Sequence, residues 1–330
     1  METVACPQHW NTLGAISLNR RHQELINAPD VGVDVRSIDF VKPFGTLLIA
    51  ESLRIFVLNR AERGLTTHLI GENQIIKSTS NALSYLKYFG FFHFVRLSYG
   101  NKTGIAPGSN TYIPITEIKF ENLIKKAEDI QFQDTIKRKC DKLATIIVND
   151  DYSKLLVGYC FREIIRNVYE HSHANYCVIM AQKYSNQVEI AILDTGIGIY
   201  ESLRSADCVV EPQHALRYAL LPGVSRALNL ESKNRWANSG FGLYVLSELG
   251  KKMGAFEICS SGNILSCYPK HENINTLNYS GTGIRLVVSL KNAEYFPNVL
   301  QSIVEQGEQE TFTRTGIRHS ASMSTHGLWG

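Results

Sequence analysis

Apolar residues recur along this chain with two periods, and each period predicts an element. Val157, Phe161, Ile164 and Val168 fall at i, i+4, i+7 and i+11, one stripe of a helix. Glu163, Asn167 and Glu170 stack on its other side. Asp150 and Asp151 offer caps for that helix, which is expected to start near Tyr152 or Ser153. Tyr176–Gln182 and Val188–Leu193 read as buried strands, the second ending at Asp194. Further on, Gly242–Met253 predicts a helix stopped by Gly254, and Ala255–Ser260 with Ile264–Tyr268 a hairpin across Ser261-Gly262-Asn263. Pro269–Ser280 is polar and reads as a loop, Ile284–Leu290 as the last strand, and Tyr295–Glu305 as a short helix. The polar final fifteen or so residues are expected to be ordered only by a partner, if at all.

The first hundred residues carry a weaker pattern. Residues 1–30 show little signal. Val31–Asp39 alternates as a strand, a turn at Phe40–Gly45 opens a helix over Thr46–Arg60, and Gly64–Leu69 predicts another strand. Thr79–Phe89 reads as a helix capped by Gly90, and Phe91–Leu97 as a strand. This is a small α/β pattern. Glycines and prolines over residues 98–116 suggest a linker, and Ile118–Val148 reads as a helix charged on one side.

Composition narrows the function classes without naming one. The chain has 330 residues, room for about two domains of ordinary size. Its net charge of +3 comes without a long basic run, so nucleic-acid binding is not indicated. Seven cysteines show neither CxxC nor a zinc-binding spacing and read as buried hydrophobes in a reducing compartment. The opening METVACPQHWNTLG lacks a signal-peptide pattern, and no apolar run reaches the ~18–20 residues of a spanning helix, so a cytoplasmic location off the membrane is expected.

Candidate chemistry collects at four places. The first is Glu163 and Asn167 on the helix. The second is Asp194 running into Thr195-Gly196-Ile197-Gly198-Ile199, a carboxylate at a strand end followed by glycines. The third is Asn238-Ser239-Gly240-Phe241-Gly242-Leu243 opening an apolar helix, and the fourth Gly281-Thr282-Gly283 before the last strand. No GxxxxGK[ST] occurs, so this is not a Walker P-loop. His171 and His173, at the helix end, read as structural.

This ordered set (ExxxN, DxGxG, GxG and GTG) resembles the GHKL ATPase superfamily of gyrase, the ninety-kilodalton heat-shock chaperone, MutL and sensor histidine kinases. The resemblance covers about residues 120–292, and EIIRNVYEHS, DTGIGI and NSGFGLYVLSELG look most like bacterial domains related to anti-sigma-factor kinases. It implies an α/β fold, a two-layer sandwich over residues 118–292 with an ATP lid at about 200–239. The cofactors it implies are ATP and Mg2+. Asp194 would accept the adenine amine, supported by Thr282, while Gly196 and Gly198 would let the backbone approach the base and root the lid. Asn167 would ligate Mg2+, and Glu163 would polarise the attacking water or hydroxyl. Ser239, Gly240 and Gly242 would turn backbone N–H groups toward the phosphates. In the lid, Gly223 is a hinge candidate and Lys233 and Arg235 are cations within reach of phosphate. No phosphotransfer helix of a sensor kinase is visible.

A second resemblance covers about residues 31–97, where DFVKPFGTLLIAESLR and YLKYFGFF are similar to a STAS domain, the fold of anti-sigma-factor antagonists. In that family a phosphorylatable serine precedes the helix. Here Pro43 and Phe44 hold the aligned positions, with Gly45 retained, so phosphorylation there looks lost. The organisation expected is a STAS-like module over 1–117, the ATPase domain over 118–292, and a helix with a polar tail over 293–330. Three functions remain open: a nucleotide-driven switch with slow hydrolysis acting on a protein partner or within a homodimer, a serine/threonine protein kinase, and a non-catalytic nucleotide sensor or scaffold, such as a bacterial defence component.

Overall fold

In the computed structural model, which describes residues 1–71, 81–121, 129–205, 211–224, 240–318 and 320, the chain is a mixed α/β protein. It divides into two units, Met1–Glu117 with Val178–Gln182, and Ile118–Cys177 with Lys183–Gly330. Ser239, Lys233, Arg235 and most of the expected lid lie outside the described residues.

The first stretch runs β1 (Glu2–Ala5), β2 (His9–Trp10), α1 (Thr12–Glu24), β3 (Asp30–Asp34), β4 (Phe40–Val41), α2 (Pro43–Glu62), β5 (Thr66–Ile70), α3 (Asn81–Tyr88), α4 (Phe91–Phe94) and β6 (Tyr112–Lys119). Strands β1, β3 and β5 pair in parallel, with Val4 opposite Val33 and Val33 opposite Leu69. Parallel neighbours need crossovers, and α1 and α2 supply them. Helix α2 buries Phe44, Leu47, Leu48, Ile49, Leu53 and Phe56, more than one stripe, as a helix enclosed on several sides must. Arg60, fully buried at its C-terminal end, donates to the carbonyls of Leu25, Ala28 and Thr66 and to Thr67 Oγ1. Those bonds keep a buried guanidinium satisfied and join the α1–β3 connection to β5.

Two expectations here were wrong. The apolar run at 91–97 is a helical turn, α4, in which Phe94 N–H donates to Gly90 O and Val95 N–H to Phe91 O. A short run buried on all sides does not reveal its own period; Phe91, packed 4.8 Å from Trp10, needs burial and not a strand. The linker composition at 98–116 hides the start of β6, whose Ile113, Ile115 and Ile118 are buried, so no helix begins at 118.

The chain continues with α5 (Asp129–Ile147), α6 (Asp151–His171), β7 (Tyr176–Tyr184), of which Val178–Gln182 count with the first unit, and then β8 (Gln187–Asp194), α7 (Gly198–Arg204), α8 (Ala215–Ala219), α9 (Gly242–Met253), β9 (Gly254–Ser260), β10 (Asn263–Cys267), β11 (Glu272–Thr276), β12 (Thr282–Ser289) and α10 (Phe296–Thr315), all in the second unit. Five strands run β11-β10-β9-β12-β8, each antiparallel to its neighbour. Helix α6 packs on β8, and α9 on β9 and β12. Asp150 caps α6 by accepting the Ser153 N–H at 2.8 Å, and the stripe Val157, Phe161, Ile164, Val168 is buried throughout. The polar run 269–280 contains β11, an outer strand whose side chains are mostly exposed; its polar sequence reflects that position and concealed the pairing. The C-terminal helix continues past Glu305 to Thr315, ten residues beyond the expected end, because its polar second half still buries Gly307 and Thr311. The six described cysteines are buried and unpaired, and no described helix is long and apolar enough to cross a membrane.

On β12, Arg285 points to the face opposite Ile284. It pairs with Glu257 Oε1 at 2.5 Å and Glu189 Oε2 at 3.0 Å, both glutamates being 2% exposed. Burial opposes its charge, and the two carboxylates outweigh burial and hold the guanidinium protonated. Arg285→Ala is therefore expected to cost about 3–5 kcal/mol in urea unfolding, because two buried carboxylates lose their counter-ion. Adding Glu189→Gln and Glu257→Gln to that variant should recover part of the loss.

Candidate functional site

The ends of β8 and β12 meet in register, Asp194 opposite Thr282. This pairing brings the second and fourth sequence boxes together although 88 residues separate them. Asp194 is 2% exposed, and its Oδ1 accepts from Gly196 N–H at 2.8 Å and Thr282 N–H at 3.4 Å. Tyr279 O–H donates to the Asp194 carbonyl, so main chain and side chain are both held. Burial pushes the Asp194 carboxyl up to about 7, and the two backbone donors offset only part of that rise.

Gly196 is closed in by the protein itself. A Cβ there would stand 2.0 Å from the Ser172 carbonyl, which already accepts the Ile197 N–H at 2.8 Å. The glycine is required by protein packing: it lets the turn after β8 close onto the end of α6. Gly198, at φ +76°, opens α7 against Ser280 O and Ser260 Oγ.

Helices α6 and α9 form the other side. A Cβ at Gly242 would lie 3.2–3.3 Å from the Asn167 amide and from Glu163 Oε2. A side chain there would crowd both groups, so glycine at the start of α9 leaves them room. Arg162 Nε and Nη2 lie 3.4 Å from Glu163 Oε1, so one carboxylate oxygen is tied to the arginine while the other faces Gly242. Arg166, where burial opposes the charge, is kept protonated by Glu163 and Glu170. Asn167 Nδ2 is buried without a hydrogen-bond partner, an arrangement that costs free energy unless something else binds there. Among the described residues, no side chain caps the N-terminus of α9.

Between these walls lies a cavity partly open to solvent. Asn167, Asp194, Gly198, Gly240, Gly242 and Thr282 line it, together with apolar side chains such as Val168, Ile199, Leu203 and Ile284. Glu163 stands behind Gly242, and Gly196 behind the turn; neither lines the cavity. Ser239 lies outside the described residues. Sequence reasoning missed Arg162, Tyr279 and the lining role of His171. Arg162 neighbours Glu163 in sequence, and adjacent helix residues do not share a face; Tyr279 sits in a run read as loop. His171 does carry a signal, since it follows Asn167 at i+4 on one helix face.

The arrangement pairs a partly apolar slot ending in a buried carboxylate with a helix N-terminus beside an amide and a carboxylate. Such a site suits a ligand that brings a hydrogen-bond donor to the carboxylate end and anionic groups to the helix start. No protein-family model matches the chain, and no curated protein shows significant similarity to it.

Asp194 gives the site a pH signature. An unfolded aspartate titrates near about 3.9, so between there and about 7 the unfolded chain ionises while the folded one holds its proton. The stability of the ligand-free protein should fall as pH rises through this window. In Asp194→Asn that component disappears, and the variant should be the more stable of the two above pH ~7. Denaturant unfolding from pH 4 to 8 measures it; identical pH profiles would show that Asp194 is not a buried acid.

Proposed function

We propose that the second unit is a GHKL-type nucleotide-binding domain that binds Mg-ATP, hydrolyses it slowly, and so switches contacts with a protein partner. The observation that carries this reading is the cavity that joins the buried Asp194 carboxylate to the Asn167 amide and the glycine-opened start of α9. Ionised Asp194 is acceptor-only and takes the adenine amine, with Gly196 N–H and Thr282 N–H holding its Oδ1 in place. The N–H groups at Gly242 and beyond favour the phosphates.

Magnesium neutralises phosphate charge when it arrives with the nucleotide. This ion takes oxygen ligands, few of them from protein, and keeps several waters, so Asn167 Oδ1 would suffice as its protein ligand, while the unsatisfied Nδ2, a donor, suits a phosphate oxygen. Glu163 Oε2, on the Gly242 side, orients and accepts a proton from the attacking water. Arg162, 3.4 Å from the other oxygen, fixes how the carboxylate is turned.

At the start of α2, Pro43 and Phe44 are buried, and the hydroxyl of Thr46, fully buried, is not available for modification.

The fate of γ-labelled phosphate from Mg-ATP tests the reading. Wild type should release free phosphate; Glu163→Ala should lose about 10²–10⁴-fold in rate while still binding ATP. Asp194→Asn should abolish binding. Label transferred to a protein would replace hydrolysis with kinase activity, and ATP binding without turnover would leave a sensor.

A further inference from the structure

The far wall of the cavity is held by a helix that none of the four sequence boxes includes. Gly307, Thr311 and Arg314 fall at i, i+4 and i+7 on α10, hence on one face. Thr311 is fully buried, and its hydroxyl lies 2.8 Å from Gly307 O, the usual partner one turn back. The same hydroxyl lies 3.1 Å from Pro222 O, and Arg314 Nη2 also donates to that carbonyl. The one hydroxyl proton is thus shared between Gly307 O and Pro222 O, and the charge-assisted Arg314 donor joins it on the Pro222 oxygen, outside any helix or strand.

The two residues after Pro222 give this convergence its consequence. Gly223 N–H donates to Gly240 O at 3.2 Å, and a Cβ on Gly240 would stand 2.8 Å from both the Gly223 and the Val224 carbonyl carbons. Val224 and Gly240 both line the cavity. On the same face of α10, Gly307 lies under the rings of Tyr244 and Phe241, at the start of α9. One helix face thus grips both the wall at 222–224 and the first turn of the phosphate-side helix.

We propose that Thr311 and Arg314 are positioning residues of the nucleotide site, setting the Pro222–Val224 wall and, through the Gly223–Gly240 bond, the entry into α9. This rests on the nucleotide reading for its ligand, but the wall's dependence on α10 stands separately. The two residues touch no ligand; they act through the Pro222 carbonyl. Loss of either donor loosens the wall, and a bound nucleotide reciprocally tightens α10 against it.

Two measurements on the full chain test this. The first is hydrogen exchange at the Gly223 amide in ligand-free protein. It should quicken at least about fivefold in Thr311→Val, which keeps the shape and removes the donor, and in Arg314→Gln; Thr311→Ser should match wild type. The second is Mg-ATP affinity by calorimetry, with the KM and kcat of hydrolysis. Thr311→Val should weaken binding and raise KM about tenfold, with kcat within about twofold, while Thr311→Ser restores both. Unchanged Gly223 exchange in a folded Thr311→Val overturns the proposal, as does a lowered melting temperature with unchanged affinity, which would make the contact merely structural. If wild type binds no Mg-ATP but Gly223 still responds, the nucleotide function falls and the positioning of the wall by α10 is upheld.

Discussion

Everything at the site depends on the antiparallel register of β8 and β12. Asp194 opposite Thr282 is one rung of a ladder that runs back to Gln187 opposite Ser289. A slip by one residue would turn Asp194 to the other face of the sheet and take the Thr282 N–H away from its carboxylate. The register is secured along the ladder by apolar residues on one face, Ile190 and Ile192 against Leu286 and Ile284, and by the Arg285–Glu189 pair on the other. Apolar burial and a buried ion pair thus both favour the same alignment.

The second constraint is the approach of α9 to α6. Gly242 leaves room where the two helices meet. The gap admits the Asn167 amide and one oxygen of Glu163. The cost is an unsatisfied amide nitrogen, and among the described residues no side chain caps the helix start. Unsatisfied polar groups gathered around one cavity mark a place where a polar ligand gains more than it would in water. Asp194 adds to this cost, since its burial disfavours the ionised form that a ring amine would select.

These costs are offset elsewhere in the unit. The α6 stripe, the sheet interior and α10 supply apolar burial, and α10 carries polar donors to the loop at Pro222. A strained, polar site on a well-packed scaffold is the usual division of labour in a functional fold.

Much of this was legible in the residues. The α6 stripe, the strand ending at Asp194, the α9 helix from Gly242 and the four boxes follow from period and punctuation alone, because local chemistry decides them. Tertiary structure decided the rest. The helical α4, the strands β6 and β11 and the long α10 all lie where burial and pairing by distant segments outweigh local composition. No periodicity could tell that Gly196 makes room for Ser172, that Arg162 occupies one oxygen of Glu163, or that Thr311 reaches Pro222 across 89 positions of sequence. A sequence determines which groups a chain can offer; which of them meet is set only when the sheet register and the helix packing are in place.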